Sequence, residues 1–160
     1  MDTIENIYSL SPLQQGLLFH SVYEPQSRVY QQQLSLRIDG PFDTAAALAA
    51  WRTMIERHAV LRTAILWEDL DDAYQVVLTE VPVPLTELDW RDRTPCECAV
   101  RDLEISEREA LLDLSAPPLM RLCLVRLGEA SWQMIWTHHH IVLDGWSEGI
   151  VLSDWLACYR

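Results

Sequence analysis

The sequence predicts an α/β fold of α+β sandwich type, a mixed sheet flanked by helices. Three observations carry that class. Segments that alternate apolar and polar residues, such as 30–38, are interleaved with segments of helical spacing, such as 43–58. Helix-start residues, Ser11 with Pro12 and Asp43, stand directly ahead of the helical segments. Apolar residues make up 49 % of 160 residues, with seven tryptophans, which suffices for one real core. A chain of this length buries roughly two-thirds of its unfolded surface.

Taken in order, Ser11 is expected to cap a helix that carries Pro12 at its first position and Gln14 in a capping-box place. That helix presents Leu13, Leu17, Leu18 and Val22 and stops before Pro25. Residues 30–38 alternate, with Leu34, Leu36 and Ile38 on one face of a strand. Gly40-Pro41 makes a turn, and Asp43 caps a helix whose stripe is Leu48, Trp51, Ile55 and His58. Residues 61–67 and 73–78 read as strands joined by an acidic turn. Val81-Pro82-Val83-Pro84 is extended because proline restricts its predecessor. Thr94-Pro95-Cys96-Glu97 is a second capping box, opening a helix to about Leu112. Residues 119–127 and 131–138 form a strand pair that turns at Gly128-Glu129-Ala130. After Gly145, a helix with Val151, Trp155 and Cys158 on one face is still running at Arg160.

A net charge of −12 argues against nucleic-acid binding and against an anionic membrane surface. No C-x-x-C pairs the four cysteines, and no apolar run is long enough to span a bilayer. The cysteines read as reduced thiols of a cytoplasmic protein.

The chemistry concentrates at Thr137-His138-His139-His140-Ile141-Val142-Leu143-Asp144-Gly145-Trp146-Ser147. Histidine suits proton transfer near neutral pH. Strand alternation puts His138 and His140 on one face, able to share a pocket, and His139 on the other. Three readings compete: buried histidines satisfied by hydrogen bonds, a metal site, or a catalytic base at a strand end. Adjacent strand residues rarely converge on one ion and no H-E-x-x-H is present, so no metal is expected.

The spacing H-H-x-x-x-D-G, as His139 to Gly145, resembles the signature of condensation domains of non-ribosomal peptide synthetases, in the chloramphenicol acetyltransferase-like superfamily. Two further segments match in the same order: Ser11-Pro-Leu-Gln-Gln-Gly-Leu-Leu-Phe-His20 and Arg57-His-Ala-Val-Leu-Arg-Thr63. The resemblance runs from about Ile7 to the end. It implies residues 1–160 as the N-terminal lobe of a two-lobed domain whose tunnel lies between the lobes, with the C-terminal lobe absent. The implied reaction is amide formation, in which an amine on an acceptor carrier protein attacks a thioester on a donor carrier protein. Both substrates ride on phosphopantetheine arms of those partners, and no cofactor is bound directly.

The resemblance also implies roles. His140 faces the tunnel as a general base or holds the amine by a hydrogen bond. His139 is structural. His138, where the family more often has an apolar residue, is a second polar group near the tunnel. Asp144 holds the loop in an ion pair with Arg62. The Gly145 N–H contributes to an oxyanion site. Trp146 and Ser147 line the tunnel, with Ser147 also a helix cap. Heterocyclisation domains carry aspartates in place of the histidine pair, so that subtype is set aside. An epimerisation-type domain, a non-catalytic carrier-docking lobe and a stand-alone acetyltransferase are the alternatives. Residues 146–160 are expected to expose apolar surface and to drive self-association of the isolated chain.

Overall fold

Two sheets, not one, organise the chain. The computed structural model describes residues 3–24, 26–92 and 97–160. A three-stranded antiparallel sheet takes the order β1-β4-β3, from Ile4–Ser9 (β1), Thr63–Leu66 (β3) and Tyr74–Leu78 (β4). A four-stranded sheet takes the order β2-β7-β6-β5, from Gln31–Asp39 (β2), Leu85–Asp89 (β5), Met120–Gly128 (β6) and Ser131–His139 (β7). It is mixed, since β5 runs parallel to β6 while the other pairs are antiparallel. Four α-helices surround the sheets among the described residues, Pro12–Tyr23 (α1), Thr44–Arg57 (α2), Glu97–Glu109 (α3) and Gly145–Tyr159 (α4), with a 3-10 turn at Ala59–Arg62 between α2 and β3.

Both helix-start predictions near the N-terminus hold in atomic detail. The Gln14 N–H donates to Ser11 Oγ and the Ser11 N–H donates to Gln14 Oε1, a reciprocal capping box at the head of α1. Asp43 Oδ1 accepts from the Ala46 N–H at 3.0 Å and starts α2. The Thr94 capping box lies outside the described residues, and α3 ends at Glu109, short of Leu112.

Strand β7 explains the run of apolar and histidine residues at its place in the sequence. It is central, hydrogen-bonded to β2 on one side and β6 on the other, and covered on both faces. Every residue from Trp132 to His139 is consequently buried. One face of the strand, with Trp132, Met134 and Trp136, joins Trp51, Met54 and Ile55 of α2 and Val151 and Trp155 of α4 in the largest core cluster. On the other face Ile135 packs with Cys123, Val125, Val100 and Leu103 beneath α3. A third cluster joins Leu17 and Leu18 of α1 to Ile65, Leu114 and Ile141.

Several expectations are corrected. His58 is not core: it ends α2, and its Nε2 meets Asp154 of α4 at 3.1 Å, with Arg57 on the same carboxylate at 3.6 Å. Cys158 is exposed, and Tyr159 takes the inward place by stacking on Phe42 and Trp155. Cys98 is disulfide-bonded, whereas Cys123 and Cys158 are free thiols. Among the described residues no helix is long and apolar enough to cross a membrane.

Candidate active site

The three histidines leave the centre of the sheet in sequence, and each finds a different environment. His138 and His139 are the last residues of β7, and His140 opens the turn that leads to α4. The His140 N–H donates to the Tyr30 carbonyl at 2.8 Å, which anchors the turn to the start of β2.

His140 is half-buried, and its Nδ1 lies 2.9 Å from the Leu143 carbonyl oxygen. A carbonyl can only accept, so Nδ1 carries the proton in the neutral ring. Nε2 is then left as the basic nitrogen. His139 has the opposite tautomer. Its Nδ1 accepts from the Ile141 N–H at 3.1 Å, so Nε2 carries the proton and donates to Ser21 Oγ at 3.3 Å. The Ser21 hydroxyl in turn donates to the Leu17 carbonyl. Both ring nitrogens of His139 are thus satisfied within the fold. Burial pushes its pKa down to about 4, helped by the neighbouring His140.

His138 differs from both. Its side chain is completely buried, yet neither ring nitrogen has a hydrogen-bond partner among the described residues. It packs 4.9 Å from the Trp136 ring, and Glu148 Oε2 in the first turn of α4 lies 3.7 Å from its Nε2. Burial, with the two neighbouring histidines, holds its pKa at about 4. A cavity of about 520 Å³ is lined by His139 with Ser21, Tyr30, Trp67 and Leu114.

The expected ion pair between Asp144 and Arg62 does not exist. Asp144 is the N-cap of α4: its Oδ1 accepts from the Ser147 N–H at 2.8 Å, and that bond holds its carboxyl below the usual carboxylate range. Ser147 is therefore the third helical residue, not the cap. Arg62 is buried at the end of the 3-10 turn Ala59–Arg62 that leads from α2 into β3, where its guanidinium donates to Glu5, to the Ile55 carbonyl and to the Leu78 carbonyl. Gly145 is the first residue of α4 and has no positive φ, so the turn does not demand glycine. A Cβ placed there would meet nothing within 4 Å, which leaves room for a molecule to approach from outside. Trp146 is 83 % exposed beside the half-exposed Ile150, while Ser147 is partly covered. Among the described residues no three His, Cys, Asp or Glu side chains converge as a metal site.

Sequence spacing shows only part of what Gln14 does at this site. Besides capping α1, it donates from Nε2 to the Ile141 carbonyl at 3.1 Å and to Gln75 Oε1 at 2.9 Å. A single amide therefore bolts the head of α1 to the histidine turn and to β4. The condensation-domain family model matches residues 4–160. The chain belongs to the condensation domain family. A linear gramicidin synthase of Brevibacillus parabrevis is 44 % identical over 98 % of this chain, and Gramicidin S synthase 2 of Brevibacillus brevis is 34 % identical over 98 %. Those alignments cover 3 % and 4 % of the relatives' own length. The starter condensation domain of rhizomide synthetase RzmA superposes with a TM-score of 0.87 at 23 % identity, covering 97 % of this chain and 39 % of that one. The first condensation domain of the calcium-dependent antibiotic synthetase gives 0.87 at 22 % identity, over 99 % of this chain and 40 % of that one. This condensation-domain chain thus spans about two-fifths of the solved structures it resembles, and its fold is theirs over that span.

Within the condensation-domain chain, the cap role of Asp144 has a direct test. Asn caps as well as Asp, so Asp144→Asn is expected to leave the thermal midpoint unchanged while Asp144→Ala lowers it. Equal losses for both variants would assign the stabilisation to charge instead.

Proposed function

We propose that this chain supplies the N-terminal lobe of a condensation domain that joins a carrier-tethered donor acyl group to a carrier-tethered acceptor amine. The acceptor nitrogen attacks the thioester carbonyl carbon, a C–N bond forms, the C–S bond breaks, and the sulfur leaves with a proton. The observation that carries this reading is the bond between His140 Nδ1 and the Leu143 carbonyl. It fixes the tautomer that offers Nε2 to the amine, and it strengthens as the ring gains charge, because a charged donor makes a stronger hydrogen bond.

In this reading His140 takes the amine proton and returns it to the departing sulfur. Gly145 and Trp146 bound the approach of the thioester, and the Gly145 N–H at the positive end of α4 serves the oxyanion. Asp144 and His139 shape the turn without touching substrate. Donor and acceptor carrier proteins bring the phosphopantetheine arms, and a C-terminal lobe closes the tunnel over the exposed Trp146 and Ile150.

The test is single-turnover amide formation by the full-length protein with both carriers loaded. His140→Ala is expected to slow the step at least about a hundredfold, the lower end of what general acid–base catalysis contributes. His140→Gln can still bond the amine but cannot carry a proton at neutral pH, so it should be equally slow. A fast Gln variant would assign His140 to holding the amine. A fast Ala variant would sink the reading.

A further inference from the structure

His138 stands out as a buried polar group that the reaction just described does not use. Its backbone is pinned in the middle of the sheet, opposite Gln32 of β2 and Met120 of β6. Its ring is fully buried, and both nitrogens lack partners among the described residues, although buried polar atoms are otherwise paired almost without exception. An apolar side chain of similar size would fill the same space without that penalty. The titratable groups around it are Glu148 on α4 and its own neighbours His139 and His140; Gln32 and Met120 opposite it carry no charge.

Glu148 supplies the reason for a histidine. Its Oε2 lies 3.7 Å from His138 Nε2, too far for a hydrogen bond and close enough that a small rotation makes one. Glu148 is three-quarters covered and sits in the first turn of α4, with its N–H on the Asp144 carbonyl at 2.9 Å. The residues between His138 and Glu148 are the reacting turn itself: His140, the Leu143 carbonyl that sets its tautomer, the Asp144 cap and Gly145. A bond between the two side chains would cross-brace that turn at its base.

We propose that His138 is a positioning residue: its Nε2–H closes a hydrogen bond onto Glu148 in the reactive state, drawing the first turn of α4 against β7 and setting His140 at the amine. Neutral imidazole is the required form, and burial keeps it neutral at working pH. No proton is transferred. The pair alternates between the separation seen here and the bonded arrangement, and only the bonded one holds the turn still. This inference rests on the proposed role of His140.

The test uses the full-length protein and three substitutions. His138→Leu is expected to keep or raise the thermal midpoint, because it removes an orphaned polar group, yet to slow single-turnover amide formation at least about tenfold at saturating carriers, the loss that about 1.4 kcal/mol of positioning would bring. The concentration of loaded carriers giving half the maximal rate should not change. Glu148→Leu, at a partly exposed position that threatens folding little, should show the same loss, and the double variant no more than either. Glu148→Gln keeps an acceptor oxygen and should retain the rate within about threefold. A His138→Leu protein that is stable and fully active overturns the proposal, as does an additive double variant. A readout independent of turnover is the ring nitrogen shift of His138, which should differ between wild type and Glu148→Leu; identical shifts overturn it too. If wild type forms no amide, the reading of the reaction fails, and the shift comparison still decides the pair.

Discussion

Acidifying this chain from pH 6.5 to pH 4 is expected to cost it several kcal/mol of stability. His138 and His139 each have a pKa of about 4 in the folded chain, against 6.5 for an ordinary histidine, with burial the first cause in both. Between those two values the unfolded chain binds two protons that the folded chain does not. Unfolding is therefore favoured as pH falls through that window, and stability from this source is complete only above about pH 6.5. Lowering each ring's pKa from 6.5 to about 4 corresponds to roughly 3 kcal/mol. Two rings bring the loss to about 6 kcal/mol, set against total stabilities of roughly 5–15 kcal/mol for whole domains. The chemistry agrees for His139, because a protonated Nδ1 can no longer accept from the Ile141 N–H. The strongly lowered Asp89 does not confuse the measurement. Asp89, held at about 2 by its bond to Arg91, loses its contribution only below its ordinary 3.8. Denaturant midpoints between about pH 7.5 and 4.5 read the effect directly, and His138→Leu should remove about half of the slope. A flat profile over that interval would mean that the rings are charged in the folded state.

The same histidines mark how far residue-level reasoning reaches. Their concentration at a strand end, and the opposite facing of His138 and His139, follow from alternation alone. The tautomers and the orphaned ring do not, because they depend on how the turn closes Ile141 and Leu143 onto the rings and on the approach of Ser21 and Glu148, which alternation does not specify. The caps at Ser11 and Asp43 were legible because capping is a contact over three residues. Two strands of the second sheet, β3 and β4, were legible as 61–67 and 73–78, but β1 and the division into two sheets were not. All six residues of β1 are exposed, so no buried face imposes alternation on Ile4–Ser9. Strand β5 hides behind Pro82 and Pro84 at the edge of its sheet, and its parallel pairing with β6 is a non-local fact. The Asp144–Arg62 pair failed for a related reason. Opposite charges in two matched motifs suggest a bond, but Asp144 is spent on the nearest free helix amide, while Arg62 lies among carbonyls of the other sheet.

Those carbonyls make Arg62→Ala a damaging substitution, at about 1–3 kcal/mol for each buried acceptor left unsatisfied. The side chain is 8 % exposed, and it ties the last turn of α2, through Ile55, to the end of β4, through Leu78, while its partner Glu5 on β1 is 48 % exposed. Two effects of very different size are combined in that arrangement. The ion pair with half-exposed Glu5 resembles a surface bridge, worth about 0–1 kcal/mol. The bonds to the buried Ile55 carbonyl and the partly buried Leu78 carbonyl are worth more, because truncating Arg62 removes the donor from both acceptors. Glu5→Gln should therefore lower stability by less than about 1 kcal/mol, although it removes the carboxylate paired with Arg62. Equilibrium unfolding of the two variants separates the effects: a large loss for Arg62→Ala with a small one for Glu5→Gln assigns Arg62 to joining α2 and the outer sheet. Equal losses would make the ion pair itself the source. In either case the loss arises at the junction of α2 with the outer sheet and not in the turn that holds His140, so under the proposed function amide formation by the folded fraction of full-length protein carrying Arg62→Ala should proceed at the normal rate, which distinguishes a support for the fold from a part of the proposed reacting turn.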